Sequence, residues 1–352
     1  GLDSVADLLY TSSCIDEVRS KRPHIIYSFP HKFDRYPLKL AKTLHVPLVV
    51  EMWEDYAQFG VENMTAMGIP QPSIIRQTKR AYSWMTDIAG QADKVIVPAT
   101  VFLERLCQLG VEKSKISVVP VCVRPTPSSD PNLMRRKHNI KPGEKMVFHV
   151  GNRSPWHDLI TLLESLKQIK SRTCVIISGG RPESSSNQEF QNARVLYTGK
   201  VTSAELGAYL SAADICVAPY YFTKPSGFFP AKIIRYMLAG KAVVTTDLPE
   251  IREMLKGEPA GLLVPPKDPK ALAEALDYLA ENDEERLKMG AKAREIAEDN
   301  YLTRHHTNQL LKIFEECVFS SKRPISQPYC HLNKISLNLG AFTLSFRAPR
   351  KS

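Results

Sequence analysis

Apolar residues along this chain fall into two alternating rhythms. Short runs rich in Val and Ile, at 24–29, 46–53, 94–99, 115–121, 145–151, 174–180, 215–218, 242–245 and 262–264, mostly stop at Pro, Gly or Asp. Runs of that kind read as strands buried on both faces. Between them, Leu and Ala recur at three- and four-residue spacing, at 38–44, 82–92, 100–110 and 159–169, which predicts helices. A helix is also expected over 6–20, and residues 54–79 read as irregular. In the helix at 100–110, Thr100 suits the N-cap and Gly110 the glycine that ends it. Two helices at 269–282 and 284–299 and an amphipathic segment at 307–319 close the series. This order predicts an α/β fold with parallel sheets and helical crossovers, whose ligands bind outside the carboxyl ends of the strands.

The rhythm breaks once in the middle. A Pro- and Ser-rich stretch at 124–132, a basic run at 135–138 and KPGE at 141–144 mark a link between two units. The expected organisation is therefore 1–123, a linker at 124–144, a second unit at 145–319, and a tail at 320–352. In the tail, 334–346 alternates in period two around Gly340, which fits a hairpin or equally a divergent, poorly constrained extension, and no function attaches to it.

Composition narrows the function. The 352 residues suit two ordinary domains, and the net charge of +10 fits either an ordinary surface rich in Lys and Arg or attraction to anionic ligands or the anionic inner face of a membrane. The basic clusters do not alternate with aromatics, which argues against nucleic acid as a partner. Seven scattered cysteines without a CxxC pair suggest a reduced, cytoplasmic setting and no zinc site. The opening GLDSVADLLYTSS lacks the basic flank and apolar core of a signal peptide. No apolar run is long enough to span a bilayer, and no HExxH, GxSxG, GxGxxG or P-loop lysine is present.

Three segments carry a resemblance: ADKVIVPATVFLERLCQLGVEKSKISVVPVCV (92–123), FHVGNRSPWHDLITLLESL (148–166) and the stretch 195–264 with FFPAKIIRYMLAGKAVV, which continues through PKDPKALAEAL to Asn300-Tyr301. Together they resemble glycosyltransferase family 4 (glycosyl transferases group 1). The resemblance implies the GT-B fold, two Rossmann-like domains facing a cleft, the first incomplete here because nothing before His24 matches the family's opening strand and Gly-rich loop. It also implies transfer of a sugar from a nucleotide-diphosphate sugar to an acceptor hydroxyl on a sugar, a lipid-linked molecule or another acceptor. Retention of configuration, with neither metal nor cofactor, belongs to the same expectation. The alternatives are a binding or regulatory relative that has lost turnover, and a nucleotide-sugar epimerase.

The resemblance also points to residues. Departing phosphates need cationic groups and backbone N–H donors, and the turn holding Gly151, Arg153 and His157 together with Lys232 would supply them. The loop Ser226, Gly227, Phe228, Phe229 would lie beside the donor. Arg235 and Gly227 stand where relatives carry the two glutamates of a Glu-x7-Glu pattern. A guanidinium cannot accept the ribose hydroxyls that a carboxylate would, so altered ribose recognition or a different donor is expected. The family's His-Asp is replaced by Glu51-Met52-Trp53-Glu54-Asp55, in which Glu51, Glu54 or Asp55 could serve as the base toward an acceptor.

Overall fold

The computed structural model describes residues 15, 18–21, 23–31, 33–151, 154, 156–179 and 187–320, with side chains except at 66 and 320, and the backbone of 335–339 and 342–346. Most of the helix expected over 6–20 lies outside the described residues, although 18–20 are helical. The polar loop after 180 lies outside them as well.

Residues up to Phe319 form one unit and the tail another. The first unit contains two sheets. The N-terminal sheet is β1 (Ile26–Ser28), β2 (Leu48–Glu51), β3 (Lys94–Val97) and β4 (Ile116–Val118), all parallel and in sequence order. Its crossovers are α1 (Tyr36–Leu44), the pair α2 (Tyr56–Ala66) and α3 (Gln71–Gln91), and α4 (Thr100–Gln108). The stretch expected to be irregular is thus largely helical. Its prolines do not break a helix, because Pro70 caps α3 and Pro72 sits in the first turn, where a missing N–H costs nothing.

The helix α5 (Pro131–Lys137) lies within the expected linker, begun by the Asp130 side chain accepting from Asn132 N–H. The basic run is therefore helical, and Arg135 is tied down: its guanidinium meets Asp214 at 2.8 Å and the carbonyl oxygens of Ala212 and Glu144.

The C-terminal sheet comprises β5 (Lys145–Val150), β6 (Thr173–Ser178), β7 (Gln188–Glu189), β8 (Ala193–Gly199), β9 (Ile215–Ala218), β10 (Ala242–Thr246) and β11 (Gly261–Val264). Their spatial order is β11-β10-β9-β5-β6-β8-β7, with only β7 antiparallel. Helices α6 (Leu159–Leu166), α7 (Ser203–Ala212), α8 (Ala231–Leu238), α9 (Pro249–Met254), α10 (Pro269–Glu281) and α11 (Asp283–Asn300) cover both faces. Alternation along the strands assigns side chains to two cores. Met146 and Phe148 of β5 and Cys216 and Ala218 of β9 enter one, whereas Val147, Ile215 and Val217 enter the other. Successive Cβ atoms point to opposite faces of a sheet, so a strand buried on both sides must be apolar throughout.

The chain runs outward from β5 through β6 and β8, then returns to β9 on the other side and continues to β10 and β11. The order reverses between β5 and β9, which opens a crevice at their carboxyl ends.

Helix α12 (Thr303–Ser320) packs on the N-terminal half. Phe314 lies 5.1 Å from Tyr27 ring to ring, Glu316 pairs with Lys94 at 3.6 Å, and His306 Nδ1–H donates to the Pro120 carbonyl at 3.0 Å. In the tail, β12 (Ile335–Leu339) pairs antiparallel with β13 (Phe342–Phe346) in a hairpin. No helix of the described residues is long and apolar enough to cross a membrane.

Candidate functional site

The crevice between β5 and β9 holds the densest chemistry of the molecule. Strand β5 ends at Gly151, whose N–H donates to the Ser178 carbonyl at 2.9 Å. Helix α8 is registered on that strand end by Tyr236, whose hydroxyl accepts the Val150 N–H at 2.9 Å. Lys232 precedes Tyr236 by four residues and so lies on the same face of α8. Its ammonium reaches the backbone of Gly151: a Cβ built there would stand 2.6 Å from Lys232 Nζ and 3.0 Å from the His157 ring. Glycine at 151 is what allows a lysine and an imidazole to meet at the strand end. Gly179, at φ +116°, closes on the other side, where any side chain would collide with the Gly151 carbonyl.

Lys232 Nζ has no hydrogen-bond partner among the described residues. It lies 5.9 Å from the Trp156 ring centre and 5.7 Å from that of Tyr220. Desolvation pushes its pKa down to about 7. His157 is buried and is placed by an isolated bridge to Tyr220 and by Asp158. That aspartate caps α6, accepting from Thr161 N–H at 3.1 Å and from its hydroxyl at 2.6 Å. Arg153, expected at the same turn, lies outside the described residues.

Three buried polar groups beside Lys232 were not singled out in the sequence. His149 donates through Nδ1–H to the Val217 carbonyl at 2.9 Å, so its Nε2 presents a lone pair, and burial, then Lys232 and His157, hold it well below the ordinary histidine range. The Tyr220 hydroxyl is buried and likewise lacks a partner among the described residues. Tyr236 was noticed only as a motif match. The signal for His149 was its place in a strand that is otherwise apolar, next to the terminal glycine.

An aromatic wall completes the site. Trp156, Tyr220 and Phe222 lie nearly parallel, and Phe228 meets Tyr220 and Trp156 edge-on at 5.1 and 5.6 Å. Phe59 of α2 crosses from the N-terminal half to within 5.6 Å of Trp156 and 5.4 Å of Phe222. The wall shields the ammonium from water.

The loop at 226–229 is held by Glu250 of α9. The Ser226 N–H donates to Glu250 Oε1 at 3.1 Å, and Gly227 N–H hydrogen-bonds the same carboxylate. Those two donors are therefore engaged by a buried side chain, not offered to a ligand. Gly227 has φ +67° and presses on α4, where a Cβ would come within 2.6 Å of the Phe102 Cβ. The Ser226 carbonyl accepts the Asp55 N–H at 2.9 Å, so this loop forms the seam between the halves. Phe228 and Phe229 are buried. Arg235 lines a separate cavity with the linker and α11 that includes none of Gly151, His157 or Lys232.

The carboxylates of the N-terminal half are largely committed. Asp55 caps α2, accepting from Ala57 and Gln58 N–H at 3.0 and 2.9 Å, with Arg105 3.5 Å away. Burial raises its pKa against those contacts. Glu51 accepts from the Tyr27 hydroxyl and from Trp53 Nε1–H at 2.9 Å, with His306 3.8 Å away, and burial raises its pKa too. Glu54 is half-buried and close enough to Tyr56 to help raise that phenol's pKa. The structure does not bring these three carboxylates together with Lys232 into one cluster. Thr100 is not the N-cap of α4; Ala99 is, and the Thr100 N–H and hydroxyl donate instead to Glu253 of α9, each at 2.9 Å. Gly110, at φ +90°, ends that helix as expected.

Chemically, the arrangement suits a diphosphate. An ammonium in a water-poor site attracts an anion far more strongly than one in bulk solvent, and a glycine at the strand end lets phosphate oxygens approach the backbone.

The comparisons agree with this geometry. The family model described as glycosyl transferases group 1 matches residues 144–282. Over 311 residues, 83% of this chain and 77% of the relative, the chain is 23% identical to an N,N'-diacetylbacillosaminyl-diphospho-undecaprenol alpha-1,3-N-acetylgalactosaminyltransferase of Campylobacter jejuni. It is 28% identical over 44% of its length to the phosphatidyl-myo-inositol mannosyltransferase of Mycolicibacterium smegmatis, spanning 40% of that protein. Among solved structures, the sucrose-phosphate synthase of Thermosynechococcus elongatus superposes with TM-score 0.68 at 19% identity, covering 88% of this chain and 79% of the other. Anabaena HepE in complex with UDP superposes with TM-score 0.70 at 17% identity, covering 87% and 82%. The C-terminal half is similar to glycosyl transferases group 1, and with two parallel sheets and the named relatives this makes the chain a glycosyltransferase with the GT-B fold.

Proposed function

We propose that the chain transfers a sugar from a nucleotide-diphosphate sugar to an acceptor hydroxyl, with retention of configuration and with Lys232 in the charge-neutralising role that a metal ion plays in other transferases. The observation that carries the reading is the unpaired, buried ammonium of Lys232 against the Gly151 backbone. As the glycosidic bond to the donor breaks, negative charge grows on the departing diphosphate, and a fixed cation there stabilises the transition state more than the ground state. His157 lines the same turn and His149 lies behind it, so a proton on either ring would add to the positive field. The substrates in the relatives' names, a diphospho-undecaprenol sugar and a phosphatidyl-inositol, suggest an acceptor hydroxyl on a lipid-linked molecule.

The test is calorimetry and turnover with UDP-, GDP- and ADP-sugars on the wild type and Lys232→Ala. The expected outcome is at least tenfold weaker binding of the matching nucleotide and a fall in turnover on the order of a hundredfold or more. Equal binding and equal transfer by the two proteins would remove the basis for the reading.

A further inference from the structure

A cavity of about 420 Å³ lies between the linker, α7, α8 and α11. It shares no residue with the Gly151–Lys232 crevice. Three guanidinium groups line it, those of Arg235, Arg294 and Arg304, against one carboxylate, Glu298. Glu298 is held by Arg294 at 2.7 Å, and Arg304 lies 3.3 Å from the Glu298 carbonyl. Among the described residues, no hydrogen bond or ion pair engages the Arg235 guanidinium. On the linker side, Thr126 Oγ1 is buried and has no hydrogen-bond partner among the described residues. Leu210 and Leu238 supply an apolar wall.

Arg294 and Arg304 are exposed and the cavity opens to solvent, so its guanidinium groups, outnumbering its one carboxylate, set a positive local field that favours an anion. Guanidinium forks match the oxygens of phosphate in pairs. The volume falls in the range of small-molecule sites and exceeds what one phosphate group fills. We propose that this cavity is a second anion site, which takes a phosphate ester or diphosphate whose organic part rests on the leucine wall. Its floor is the linker: the Pro127 backbone is packed so closely on α7 that no side chain fits at Gly207. An occupant would therefore clamp the segment that joins the two sheets.

The test is calorimetric titration with inorganic pyrophosphate in the Lys232→Ala background, where the donor crevice is disabled. A binding event is expected to persist there and to weaken at least tenfold when Arg235→Ala or Arg304→Ala is added. Arg235→Lys should retain part of it, and Glu298→Gln should tighten it severalfold, a gain that damage to the fold would not produce. Sedimentation with phosphatidic acid vesicles, against phosphatidylcholine alone, separates the sources. Arg235-dependent binding to those vesicles assigns the phosphate to a lipid headgroup, and pyrophosphate binding without it assigns a soluble ester. Loss of all pyrophosphate binding in Lys232→Ala alone, with no Arg235-dependent vesicle binding, would overturn the proposal. So would binding that is indifferent to Arg235 and Arg304. Neither result bears on donor transfer, which depends on Lys232.

Discussion

Gly151 is the residue on which the crevice turns. Gly151→Ala places a methyl 2.6 Å from Lys232 Nζ and 3.0 Å from the His157 ring. The lysine is flexible at its far end and moves aside at small energetic cost, whereas its position over the diphosphate is lost. Donor nucleotide binding is expected to weaken tenfold or more while the urea midpoint changes little; calorimetry and denaturation, measured together, check this. Lys232 makes a second prediction, with a defined sign. Its folded pKa of about 7 lies below the ordinary value of 10.5, so burial penalises the protonated form. The penalty is fully present below pH 7, shrinks between pH 7 and 10.5, and vanishes above. Lys232→Met should therefore stabilise the protein at pH 6, by about 5 kcal/mol at most, and by progressively less toward pH 10. A bound diphosphate reverses the penalty, so at pH 8 binding should take up a proton, seen as a buffer-dependent heat that the Met variant lacks. At this scale the resemblance pointed to Gly151, His157 and Lys232, and the structure brings these three together at one strand end. The sequence did not show that Glu250 takes the amides of Ser226 and Gly227, since that carboxylate arrives from 23 residues further on.

Elements were readable where caps and punctuation agreed with periodicity. Strands β9, β10 and β11 fall within a residue of expectation, since each is bounded by Asp, Pro or Gly. The misreading at 54–79 has a definite cause: Pro70 and Pro72 suggested a break, yet they stand at the start of α3, where proline is favoured. Asp158 offers a test of how a cap serves the site. Asp158→Ala removes the bonds to the Thr161 N–H and hydroxyl, and should cost about 1–2 kcal/mol in urea unfolding. Because His157 is the preceding residue, donor affinity should fall along with stability, whereas an equally costly change at Asp130 should leave affinity intact.

Across the whole molecule, the halves are fastened by an aromatic seam and by polar crossings. Phe59 meets Trp156, Phe222 and Phe228, Thr100 meets Glu253, and Asp55 meets the Ser226 carbonyl. A donor cannot reach the shielded lysine unless this seam parts, so opening governs entry. Phe59→Ala should cost about 1–3 kcal/mol and speed nucleotide association in stopped-flow mixing, with a larger radius of gyration in scattering. The order of elements predicted parallel sheets in two units, and the resemblance that they face a cleft, but neither showed the seam, because contacts between halves have no period to read.

Helix α12 has a consequence for how the molecule is made. Residues 303–320 roof Tyr27, Pro120 and Lys94, yet a ribosome releases them nearly two hundred residues after the sheet they cover. The first half must therefore wait during translation with its apolar patch bare, and a chaperone or the growing second half has to guard it. A stop codon placed just before Thr303 would leave the donor sheet's strands intact and the earlier sheet permanently unroofed, so aggregation of the nascent product is the expected phenotype.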